Sequence, residues 1–281
     1  ICRAANAGRV LDLKKNFLQS GIYILHGDSD NVVPIRQVRQ MRELLGTFHP
    51  DFCYYEYPGG SHWYSNESVD WKPIFDYFRW HKVPVAGEVK QLEFHTASPA
   101  ISAKDYWVTI NQQDTAYAFS SVSFKQTDKG LEGTTSNVAS LTFDLPALKL
   151  PAEAIITIDN ETLRADGSKP AVLKKVSGKW TLIDEVSVAE KYPSRYGGFK
   201  QAFDNNVVFV YATGGNKEEN TWYQNKARFD AETFLYRGNG SIEVIADKDF
   251  APSAYADRNV VLYGNAANNK AWNKLLKNAP V

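Results

Sequence analysis

Residues 1 to about 85 alternate short apolar runs with apolar positions at helical spacing. Ile22-Tyr23-Ile24-Leu25 is a continuous apolar run of the kind found in parallel strands buried on both faces, and Gly27 closes it. After Pro34, which suits the first turn of a helix, Val38, Met41, Leu44 and Leu45 form a helical stripe. Phe52-Cys53-Tyr54-Tyr55-Glu56-Tyr57 predicts a second strand, broken by Pro58-Gly59-Gly60. Trp71, Ile74, Phe75 and Phe78 predict a second helix that ends near Pro84. The order strand, helix, strand, loop, helix corresponds to about the last third of a doubly wound α/β sheet.

From Pro84 to about 185 the texture changes to short alternating segments separated by turn residues. Tyr106 to Ile110, Ala118 to Phe124, Ala139 to Phe143, Ala154 to Ile158, Val172 to Val176 and Trp180 to Ile183 read as strands. Asp166-Gly167 and Ser177-Gly178 read as turns between strand pairs. The segment predicts a β-sandwich-like module. Its aromatic residues Tyr106, Trp107, Tyr117 and Phe119 fit core packing better than an exposed ligand-stacking surface, because the patterning alternates.

Beyond about 190 the α/β alternation returns. Val207-Val208-Phe209-Val210-Tyr211 leads through Gly214-Gly215 into a predicted helix from Glu218 to Arg237, with Trp222, Tyr223, Ala227, Ala231, Phe234 and Leu235 on one side. Ser241 to Ala246 and Val260 to Tyr263 are further strands, Ala271 to Leu276 begins a final helix, and Pro280-Val281 reads as the start of another strand. Gly214-Gly215 matches no phosphate-binding glycine pattern and reads as a structural turn. The expected organisation is therefore 1–85, the carboxyl-terminal part of an α/β-hydrolase-like sheet; 86–188, the β-sandwich-like module; and 189–281, a second small α/β module.

Composition narrows the function classes. The 281 residues are 43% hydrophobic and 13% aromatic, ample for real cores. Lys plus Arg and Asp plus Glu both number 32, so no excess of basic charge favours a nucleic-acid partner. No run approaches the roughly 18 apolar residues of a membrane span. Cys2 and Cys53 are too few and too far apart to define a disulfide framework or a metal site, and they leave the redox compartment and their own pairing open.

The candidate chemistry lies at the ends of the first two strands. Asp30 falls just past the carboxyl end of a predicted parallel strand, where open α/β sheets place catalytic groups. An acid there accepts the Nδ1 proton of an imidazole, fixing its tautomer and stabilising the imidazolium. His62 lies on the short glycine-rich loop after the next strand, from which its Nε2 can serve as general base. Asp28 is the rival acid and has an alternative reading as a turn residue. His26 reads as part of the strand-end turn, and Ser61 is unsuited as a nucleophile because neighbouring side chains on an extended loop point apart. Trp63 fits a pocket wall and packing against the following helix equally well. No partner pattern surrounds His49, His81 or His95.

The sequence His26-Gly27-x-x-Asp30-x-x-Val33-Pro34, followed by Tyr57-Pro58-Gly59-Gly60-Ser61-His62, resembles the carboxyl end of the prolyl oligopeptidase family of serine hydrolases. The resemblance covers residues 1 to about 85. It implies Asp30 as triad acid and His62 as triad base, with no metal or organic cofactor and a peptide or ester substrate. Ser61 directly before His62 and the Trp63-Tyr64 pair after it depart from the common family loop. In the α/β-hydrolase order the serine precedes the acid, and G-x-S-x-G occurs nowhere in the chain. The chain therefore reads as the carboxyl-terminal portion of a longer hydrolase, inactive alone, with serine and oxyanion donors upstream. The appended modules resemble those of exported bacterial hydrolases, which implies a secreted or periplasmic protein. Alternatives are an esterase acting on polysaccharide esters and a non-catalytic binding or assembly protein retaining a hydrolase remnant; oligomeric state stays open.

Overall fold

A computed structural model describes residues 2–187 and 189–276; the expected strand at Pro280-Val281 lies outside them. The chain is mixed, with 30% helix and 30% strand. It divides into two compact units, residues 1–196 and 197–281.

The first unit opens with 3-10 turns and then forms β1 (Ile22–Gly27), α1 (Ile35–Leu45), β2 (Phe52–Tyr57) and α2 (Lys72–Trp80). β1 and β2 pair in parallel, in register from Ile22 opposite Phe52 to Gly27 opposite Tyr57. α1 turns the predicted stripe inward: Leu45 is buried and Val38, Met41 and Leu44 are half-buried. The apolar residues of β1 are only half-buried, and Phe75, Phe78 and Trp80 of α2 are exposed. The apolar pattern is that of a strand covered on both faces, yet this sheet has two strands and no second layer over α2 among the described residues. At the amino end of the pair, Asp51 accepts hydrogen bonds from Tyr77 (3.0 Å) and from His81 Nε2 (2.8 Å), while His81 Nδ1 faces the Tyr77 carbonyl at 2.7 Å. Both ring nitrogens meet acceptors, and the Tyr77 carbonyl, followed by Asp51, holds the His81 pKa above its ordinary value.

The same unit continues through β3 (Gln91–Thr96), β4 (Lys104–Asp105), β5 (Val108–Gln112), β6 (Ser120–Thr127), β7 (Gly130–Ser136), β8 (Ser140–Phe143), the short α3 (Leu145–Leu148), β9 (Glu153–Ile158), β10 (Glu161–Asp166), β11 (Ala171–Val176) and β12 (Lys179–Ile183). These strands form two five-stranded sheets, ordered β10-β9-β7-β6-β3 and β12-β11-β8-β5-β4; within these two sheets β7 and β9 pair in parallel and the other described pairs are antiparallel. Alternate residues from both sheets meet in one buried cluster that includes Leu92, Phe94, Ile110, Phe124, Phe143, Ile156 and Leu173. Phe124 and Phe143 meet edge to face across it at 4.8 Å. Trp107 is fully buried and donates its indole N–H to the Val89 carbonyl at 2.9 Å, while Tyr117 stays on the surface.

Ser177-Gly178, both at positive φ, join the paired strands β11 and β12 as expected. Asp166-Gly167 does not join a pair: β10 and β11 belong to different sheets, so this turn carries the chain across the core. Two more two-residue hairpins are Asp128-Lys129, between β6 and β7, and Asp159-Asn160, with φ of 49° and 68°, between β9 and β10.

The second unit is a three-stranded parallel sheet ordered β14-β13-β15, made by β13 (Val207–Tyr211), α4 (Lys217–Gly238), β14 (Glu243–Ala246), β15 (Asn259–Tyr263) and the four-residue α5 (Trp272–Leu275). β13 is buried on both faces. Val207 and Phe209 pack with Ala227, Ile242 and Val261, and Val208 and Val210 pack with Phe250 and Ala271. Asn216 caps α4, accepting from Glu219 N while Glu219 Oε2 accepts from Asn216 N, each at 2.9 Å. Gly214 N donates to the Asn268 carbonyl at 2.9 Å, and a Cβ there would meet that oxygen, so the glycine pair closes a loop-to-loop contact. The expected single-sided stripe of α4 is corrected: Ala227, Ala231 and Phe234 face the sheet, whereas Trp222 and Leu235 are exposed.

Candidate active site

The parallel pairing of β1 and β2 continues past the strand ends. Asp28 N donates to the Tyr57 carbonyl (3.1 Å) and Ser29 N to the Gly60 carbonyl (2.9 Å), so the two loops remain side by side. Asp28 latches them: its Oδ1 accepts from Gly59 N at 2.8 Å and from the Ser29 hydroxyl. Gly27 and Gly60 touch backbone to backbone; a Cβ on Gly60 would lie 2.9 Å from Gly27 Cα and 3.1 Å from the Tyr57 ring. Only glycine permits this approach.

On this frame Asp30 and His62 come together, with Nδ1 and Oδ2 3.0 Å apart. The other carboxylate oxygen of Asp30 accepts from Val32 N (2.8 Å) and Val33 N (2.9 Å), a local turn that aims the second oxygen at the imidazole. The Asp30 side chain retains 4% of its exposure and that of His62 34%. Burial pushes the Asp30 pKa up, but the hydrogen bonds from Val33, His62 and Val32 outweigh it and bring the carboxyl down to about 2. An anionic Asp30 makes His62 Nδ1 the donor, which leaves a lone pair on Nε2. Among the described residues Nε2 has no hydrogen-bond partner.

The neighbouring side chains sort by what they touch. His26 Nε2 lies 2.9 Å from the Val33 carbonyl and 3.5 Å from Asp30 Oδ2, so it braces the acid's turn. Ser61 donates its hydroxyl to the Trp63 carbonyl at 3.0 Å and is committed to the loop. Trp63 is exposed rather than packed against α2, and its ring stands edge to face with His62 at 5.3 Å. Tyr64 stacks on Tyr57 at 4.7 Å, tying the end of the histidine loop back to β2. The Val32 and Val33 amides and the Tyr57–Tyr64 stack are supports that sequence reasoning passes over; the signal available was the Asp30-x-x-Val33 spacing of an Asx turn. Cys53 is a free, half-buried thiol on β2. No three His, Cys, Asp or Glu side chains gather as a metal site among the described residues, and no helix there is long and apolar enough to cross a membrane.

Searched against protein-family models, curated proteins and solved structures, the chain matches none. The chemistry of the site rests on its geometry: an ionised acid, an imidazole oriented by it, and an outward nitrogen able to take a proton from a hydroxyl, thiol or water.

Proposed function

We propose that this chain is the carboxyl-terminal part of a serine hydrolase of the prolyl oligopeptidase type, in which β1 and β2 are the last strands of an α/β-hydrolase sheet and the two five-stranded sheets and the second unit are appended modules. The observation that carries the reading is the 3.0 Å contact between His62 Nδ1 and an Asp30 carboxylate held ionised by two backbone amides. That arrangement has the geometry of the acid–base half of a triad.

In the proposed reaction a serine supplied from outside these 281 residues attacks the carbonyl carbon of a peptide or ester. Its hydroxyl proton passes to His62 Nε2, and Asp30 stabilises the resulting imidazolium. Collapse of the tetrahedral intermediate sends that proton to the leaving amine or alkoxide. Water then hydrolyses the acyl-enzyme with His62 again as base. No residue in this chain supplies the nucleophile in this scheme.

The test is fluorophosphonate labelling of the full-length protein with the modified peptide mapped by mass spectrometry. One labelled serine outside residues 1–281, with labelling slowed strongly by His62→Ala, supports the proposal. Absence of labelling in folded protein, or labelling indifferent to His62→Ala, refutes it. A panel of peptide and ester substrates then assigns the bond cleaved.

A further inference from the structure

The loop that carries His62 continues into Trp63, which is 73% exposed and whose ring stands edge to face with the imidazole, centroids 5.3 Å apart. The backbone on either side of this indole is anchored. The Ser61 hydroxyl donates to the Trp63 carbonyl at 3.0 Å, and Tyr64 stacks on Tyr57 of β2. The segment is thus tied down while the ring it carries projects beside the base. A large apolar ring left open at that point is a more informative exposure than a scattered surface residue.

We infer that Trp63 forms the leaving-group subsite of the hydrolase, its indole face stacking on a ring carried by the departing alcohol or amine. This inference rests on the acyl-transfer reading above. In that reaction the serine and the oxyanion donors lie outside these residues and hold the acyl part of the substrate. The leaving atom has a different obligation: it must come within ~3 Å of His62 Nε2 to receive the proton. Asp30 already occupies the Nδ1 side of the imidazole, so the leaving group and the indole share what remains of its surroundings. A ring one carbon beyond the departing atom spans the few ångströms to the indole, whereas a methyl group does not. The indole offers a flat, uncharged face, which suits a flat apolar ring.

The experiment uses the full-length protein acylated by 4-nitrophenyl acetate, with methanol and benzyl alcohol competing for the acetyl-enzyme. The alcohol oxygen bonds to the acyl carbon as the serine ester bond breaks. The alcohol proton passes to His62 Nε2 and then to the serine oxygen, so the incoming alcohol occupies the position of a leaving group. The ratio of benzyl acetate to methyl acetate formed at equal alcohol concentration cancels any change in acylation. Wild type favours benzyl alcohol, Trp63→Ala lowers the ratio about tenfold, and Trp63→Phe keeps it within about threefold of wild type. Melting curves check that each variant is folded. A wild type without preference for benzyl alcohol, or a ratio unchanged in Trp63→Ala, would overturn the inference while the acetyl-enzyme itself upheld the hydrolase reading. Absence of any acetylated serine would overturn that reading and this inference with it.

Discussion

Asp30→Asn isolates the tautomer argument. Oδ1 of Asp30 is fixed by the amides of Val32 and Val33 at 2.8 and 2.9 Å. An asparagine keeps those two bonds only by placing its carbonyl oxygen there, which puts its NH₂ where Oδ2 faces His62 at 3.0 Å. A donor now confronts Nδ1, so Nδ1 must accept and the ring proton moves to Nε2. The nitrogen that should take the serine proton then carries one. Loss of the correct tautomer in a triad of this geometry costs roughly 10⁴-fold in turnover. Because both anchoring bonds survive, the loop conformation and melting temperature are expected to change little. The assay is kcat on an activated ester with the full-length protein, alongside ¹⁵N shifts of the imidazole. Turnover within about tenfold of wild type, or an imidazole still protonated on Nδ1, would refute the reasoning.

Gly27→Ala drives a methyl group into the Gly60 backbone and is expected to cost about 1–3 kcal/mol in urea unfolding, while lowering activity by displacing the histidine loop; an unchanged denaturation midpoint and activity would count against the loop contact. Phe124→Ala, at a buried ring in edge-to-face contact with Phe143, should destabilise by about 3–5 kcal/mol, and a loss below ~1.5 kcal/mol would mean that the two sheets do not share this core. The Asp30 carboxyl, lowered from 3.8 to about 2, contributes stability that is fully present above its unfolded-state pKa and is lost as pH falls through its folded one, so its ¹³C signal should titrate near 2; a midpoint near 4 would remove the case for the amide-held anion.

The first strand pair and the meeting of Asp30 with His62 were legible because each residue sits a few positions past an apolar run, and parallel pairing of those runs brings their ends together. β13 was legible for a related reason: Val207 to Val210 are apolar at every position and buried on both faces. The supports of the site were not. Asp28 carries the same side chain as Asp30 two residues later, and only the fold reveals that it holds Gly59 while Asp30 holds His62. Among the strands, β7 escaped because Gly130, Gly133 and its Thr-Thr-Ser end mask the alternation, and β10 because Leu163 and Ala165 alone mark its apolar side. β3 carries a period-two signal, with Leu92, Phe94 and Thr96 inward, but polar residues interrupt any apolar run. For α2 and the outer face of α4, periodicity reports an apolar stripe and is silent on what lies against it.

The register of β1 and β2 ends with Gly27 opposite Tyr57; the acid follows three residues after the first and the base five residues after the second. Those two short counts determine whether the pair forms. A one-residue insertion or deletion inside either would rotate or displace a functional side chain, as a register slip does in any sheet. The stretch between them, through α1 to the start of β2, enters neither count. Past Val33, whose amide still holds Asp30, a change of length in that connection leaves both counts intact, while an indel between Gly27 and Asp30 or between Tyr57 and His62 separates acid from base without changing a single residue of either.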